Sequence, residues 1–206
     1  LSGTGVSSTG ALTNSSSGAA TYAGALMLSG SSSIIAASGN ISLSSTSAVI
    51  GNGLGVTLGG AGNGSFNGVL ATGSGTLSKT GAGSWLIVGA NTYSGATNIG
   101  AGTVQMSNNF ALGRSSAITI SSGATLDLNG TNALNLSTLT LAGTGTSGMA
   151  LTNSGLGATY SGAIVLSADT TIGSNVSSTL TLNSTINGAF TLTLTALNTT
   201  LDRKSV

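Results

Sequence analysis

The amino-acid sequence predicts an all-β fold, a parallel β-solenoid wound in rungs of about 20 residues. Three observations lead there. Runs rich in apolar and β-branched residues, at 85–88, 103–106, 117–120 and 125–128, are separated by Gly, Ser, Asn and Ala, as strands joined by tight turns are. Strand-like positions recur at Leu77, Thr97, Ile118, Leu139, Tyr160 and Leu180, at steps of about 20 residues, and nothing helical competes over 75–130. Residues 1–29, LSGTGVSSTGALTNSSSGAATYAGALMLS, reappear as 141–167, LAGTGTSGMALTNSGLGATYSGAIVLS, and 50–58 reappear more weakly as 186–194.

The long repeat sets the domain expectation. Residues 1–201 read as one solenoid, with a module over 1–140, a partial second copy over 141–201, and 202–206 as a tail or cap. Within strands, alternate side chains point to opposite faces, so Leu126 and Leu128 are expected in the core while Thr125, Asp127 and Asn129 face solvent. The same reading puts Leu180 and Leu182, and Leu192 and Leu194, on the core side. Glycine, present 34 times, suits a coil that must turn sharply several times per rung, and the absence of Pro suits a backbone whose amides enter ladders. The Asn-Gly pairs at Asn52, Asn63, Asn67, Asn129 and Asn187 leave an antiparallel sandwich of hairpins as the competing fold.

Composition removes whole classes of function. With four Lys plus Arg, three Asp and a net charge of +1, the chain has no electrostatic footprint for nucleic acid or an anionic membrane. Mean hydropathy of +0.42 and spaced apolar residues argue against disorder. No run approaches the length of a spanning helix. The chain does not begin with Met or a basic-then-apolar leader, so a signal peptide has been removed or the chain is a piece of something longer.

The strongest motif lies at residues 79–105, KTGAGSWLIVGANTYSGATNIGAGTVQ, followed by ALG, a strand and SGATLDLNG. This stretch resembles the passenger-associated repeat of bacterial autotransporters, whose pattern of Lys, Gly, Asn-Thr-Tyr-x-Gly and Gly-Thr falls here on Lys79, Gly81, Gly83, Asn91, Thr92, Tyr93, Gly95, Gly102 and Thr103. The resemblance implies a right-handed parallel β-helix on a bacterial outer surface. The family's membrane-embedded translocator barrel is not visible in this sequence.

Candidate chemistry is sparse. The chain has no His, Glu or Cys, which takes away the commonest general bases, thiol nucleophiles and transition-metal ligands. Asp127 and Asp169 stand two beats apart and are candidates for one face two rungs apart, a carboxylate pair in a polysaccharide-cleaving enzyme; the plainer reading is two lone solvent-facing residues. Trp85 and Tyr93 are candidate surface contacts for sugars or partners, or else core and turn residues. Tyr22 and Tyr160, equivalent in the long repeat, favour the structural role. Lys79 and Arg114 read as solvated charges. Gly-rich strings without a following Lys-Ser/Thr carry no phosphate loop, and no cofactor or metal site is expected.

Three functions compete. The first is a non-enzymatic extracellular structural or adhesive solenoid with a host-surface or glycan ligand. The second is a subunit that associates end to end into a filament or sheath. The third is the polysaccharide-active enzyme.

Overall fold

A computed structural model describes residues 1–133, 137–175, 177–195 and 199–201; the expected tail or cap at 202–206 lies outside the described residues. The chain winds into about 8 turns of ~22 residues each, with almost no helix. Every ladder between the described strands is parallel, so the antiparallel sandwich is not what forms. Each turn lays a strand on each of up to three faces.

On the first face the register runs through Val56, Leu77, Thr97, Ile118 and Leu139 to Ile164. The second face carries Ala20–Tyr22, Ile41–Leu43, Gly64–Phe66, Ser84–Ile87, Gly102–Met106, Ala124–Asp127 and Leu151–Asn153. The third is built from Ala48–Ile50 against Val69–Ala71 and, farther along, Asn132–Ala133, Gly157–Tyr160, Thr179–Leu182 and Thr199–Leu201. The long strand Ile164–Ser174 bends across two faces, serving the first with Ile164–Leu166 and the second with Thr170–Ser174.

Side-chain alternation produces the core. Val104, Leu126, Leu151 and Ile172 stack through consecutive second-face strands and are all buried. Each such Leu or Ile stabilises by about 1.5–3 kcal/mol relative to leaving it in water. Leu180 and Leu182 are buried as expected. In the last second-face strand, Leu192–Thr195, the pattern departs from expectation: Leu192 is half-buried and Leu194 exposed, because this strand pairs with Ile164–Ser174 on one side only.

The expected Tyr160 and Leu180 beats fall on the third face, opposite Leu182 and Ala158, rather than in line with Leu139. The cause is an insertion. Residues 144–149 lengthen one turn and fold back over the outside of the second face, where Thr146 Oγ1 lies 3.0 Å from the hydroxyls of both Thr103 and Thr125. Thr125 also donates to the Met149 carbonyl at 2.9 Å. Hence both sides of Ala124–Asp127 are buried, Thr125 and Asp127 included, which corrects the expectation of a solvent-facing row.

The Asn-Gly signal marks corners between faces. At Asn129 and Gly130, two consecutive positive φ values (47° and 77°) turn the chain from the second face to the third, and Thr131 N–H bonds back to the Leu128 carbonyl at 2.9 Å. An L-residue at the glycine would be strained there.

Candidate functional site

The turn at residues 77–106 concentrates the residues that the sequence singles out, and the fold turns most of them inward. Trp85 follows Ser84 on a strand whose alternate residues face the core, and its side chain is fully buried. The indole spreads across the neighbouring turn, where Gly64 is its ladder partner, and its Nε1 donates to the Gly59 carbonyl at 3.3 Å.

Tyr93 is equally buried, at the corner where this turn has no third-face strand. Its hydroxyl lies 2.7 Å from Thr97 Oγ1, which lies 2.5 Å from Ser115 Oγ. Ser115 spends its one proton on the Leu112 carbonyl at 2.7 Å, so Thr97 must donate to Ser115 and Tyr93 to Thr97. Burial raises the phenol pKa to about 12. Trp85 and Tyr93 are therefore core residues, which corrects their candidacy as surface contacts: the large rings fill space that Gly, Ser and Ala leave empty.

Lys79 is the largest correction. Expected in solvent, it is 1% exposed. Its Nζ donates to the carbonyls of Thr80 (2.9 Å) and Gly81 (2.7 Å) at its own corner and Ala101 (3.1 Å) one turn on. No carboxylate accompanies it among these partners, and burial lowers its pKa to about 8. Three backbone acceptors match three ammonium protons, so the side chain ties two successive corners together. Arg114 is exposed, as expected.

The two aspartates do not share a row. The ladder from Asp127 continues to Thr152 and then Gly173, whereas Asp169 sits at the bend of Ile164–Ser174 before the second-face segment. Asp127 accepts from Asn129 N (2.9 Å) and Ser154 N (2.9 Å) at Oδ1, and from Gln105 Nε2 (3.0 Å) and Ser154 Oγ (2.5 Å) at Oδ2. Both oxygens are occupied by the fold. Asp169, exposed, accepts from Thr191 N–H at 2.8 Å in the next turn. Among the described residues there is no cluster of three or more metal-ligating side chains.

Sequence reasoning passed over the corner asparagines. Asn91 Oδ1 accepts from Leu70 N–H (2.7 Å) in the turn before, and its Nδ2 donates to the Ala111 carbonyl (2.6 Å) in the turn after. Asn153 does the same with Gly130 N–H (2.7 Å) and the Thr179 carbonyl (2.7 Å). The available signal was Asn91 within Asn-Thr-Tyr and the recurrence of Asn14 and Asn153 in Ala-Leu-Thr-Asn.

Lys79, Trp85, Asn91 and Tyr93 lie in one turn, and the stretch from Leu77–Lys79 to Gly102–Met106 is that turn plus the first two strands of the next. Residues 77–106 match the passenger-associated-transport-repeat family model. The passenger repeat thus spans a structural unit: Asn91 joins it to the turns before and after, while Lys79 and Tyr93 bond within it, to the Ala101 carbonyl and to Thr97 Oγ1. This repeat and the solenoid fold fit an autotransporter passenger. Neither a curated protein nor a solved structure matches the chain. Among the described residues no helix is long and apolar enough to cross a membrane.

Proposed function

We propose that the chain is a non-enzymatic structural or adhesive segment of an autotransporter-type passenger, displayed at a bacterial outer surface. The observation that carries this reading is the matched repeat at 77–106 lying in register within continuous parallel ladders. On this reading residues 1–201 act as one rod, the module 1–140 running into the partial copy 141–201. Asp127, fully engaged by four donors, and Asp169, off its row, support a non-catalytic role.

Surface display tests it. The chain, placed between a secretion signal and an outer-membrane translocator barrel, should be reached by antibody and by added protease on intact cells. Retention inside the cell, with a control passenger exported, would overturn the reading. Electron microscopy of the isolated chain separates a rod from a filament subunit: short single rods support the stalk, and concentration-dependent fibres would replace it with self-assembly.

A further inference from the structure

The early second face carries a groove that the passenger reading leaves unused. Its outward residues Thr21, Ser42, Ser65 and Leu86 belong to four successive turns and are held in register by the ladder. Asn40 and Asn63 flank the row, and together with Ala19 and Ala20 these residues line a groove of about 290 Å3. Its long axis follows the stacking direction, with one turn every ~4.8 Å.

The hydrogen-bond network fixes what the groove offers. Asn40 Oδ1 accepts from Asn63 N–H at 3.0 Å, and Asn63 Oδ1 accepts from Ser84 N–H at 2.8 Å. Both amide oxygens are engaged, which fixes both amide orientations. The two Nδ2 groups have no acceptor among the described residues. Ser65 donates to Ser42 at 3.0 Å, leaving the Ser42 proton free, and no acceptor for the Thr21 hydroxyl is found among the described residues. The groove therefore presents donors at successive turns with the apolar side chain of Leu86 at one end, and no lining residue is charged.

We propose that this groove binds an uncharged glycan chain laid along the solenoid axis. A charged polymer would find no counter-charge here. The groove's unpaired donors are the two Nδ2 groups and the Ser42 and Thr21 protons, and an extended peptide, with a single fixed carbonyl for each N–H it brings, matches that surplus less well than a polymer with several oxygens per unit. Sugar hydroxyls both accept and donate, so a glycan accepts from the groove and turns its remaining protons to water. The C–H face of a ring suits the Leu86 side chain. The proposal holds whether or not the chain is exported, because binding is read on the isolated chain.

The experiment titrates the 206-residue chain with three neutral probes: the β-1,4-linked N-acetylglucosamine tetrasaccharide, maltotetraose, and an acetylated, amidated tetraalanine peptide. Calorimetry gives affinity, and amide NMR shifts give position. Expected are saturable binding of at least one saccharide, shifts centred on Thr21, Ser42, Asn63 and Ser65, and peptide binding at least tenfold weaker. Asn40→Asp with Asn63→Asp keeps the oxygens that hold Asn63 N–H and Ser84 N–H while removing both donors, and should weaken saccharide binding at least tenfold with circular dichroism unchanged. Should that pair fail to fold, Ser65→Phe fills the groove from an outward position and should abolish binding. No saccharide binding at millimolar concentration, equal peptide affinity, or binding within twofold of wild type in a folded variant would overturn the proposal.

Discussion

Trp85 occupies the space that a side chain on Gly64 would need. A Cβ built on Gly64 falls 2.4 Å from indole ring atoms, so the repeat's aromatic and the preceding turn's glycine are a matched pair. Gly64→Ala should destabilise the fold by about 1–3 kcal/mol, as overpacking does. Denaturant melts should show Trp85→Phe and Gly64→Ala coupled, the double variant losing less than the sum of the two.

Removing a corner amide should cost more than its surface area suggests. Asn91→Ala leaves Leu70 N–H and the Ala111 carbonyl without a partner inside the protein, a loss of about 2–4 kcal/mol. A melting temperature within one or two degrees of wild type would show that water replaces the amide freely.

Lys79 gives stability an unusual pH dependence. Its folded pKa, about 8, lies below the ordinary lysine value of 10.5, so between these values the unfolded chain holds the extra proton and stability rises with pH. The gain is at most about 3 kcal/mol. Above pH 10 the direction reverses, because burial raises the Tyr93 and Tyr160 phenols and only the unfolded chain ionises them readily. Melting temperature should peak near pH 10 in wild type, and Lys79→Met should remove the rise from pH 8 while keeping the fall.

Salt should matter little. Seven charged side chains in 206 residues leave few pairs to screen, so raising NaCl from 0.01 to 0.15 M should move the melting temperature by no more than a degree or two. A large shift would point to charge interactions at the chain's 202–206 end, where Asp202, Arg203 and Lys204 cluster.

Asp127→Asn should lower stability without touching any activity. An asparagine in that place turns an NH2 toward two of four donors. Glycan cleavage by the wild type, lost in Asp127→Asn, would reinstate the enzyme reading.

The strand runs, the in-to-out alternation at most positions, the first-face beat from Leu77 to Leu139 and the repeat motif at 79–105 are all legible in the sequence. These depend on local pattern, which the chain carries openly. Tertiary structure decided which face each segment occupies. Ala11 and Ala150, equivalent in the long repeat, stand 139 positions apart, about six turns and a third at ~22 residues per turn. The second copy is accordingly wound one face further on: Leu12–Asn14 lies on the first face and Leu151–Asn153 on the second. Tyr22 is 38% exposed on the second face, whereas its counterpart Tyr160 is buried on the third, donating to the Ser137 carbonyl at 2.7 Å. The burial of Lys79 follows the same logic. Its three carbonyls come from corners a turn apart in sequence, and only winding the chain brings them within reach of one ammonium group.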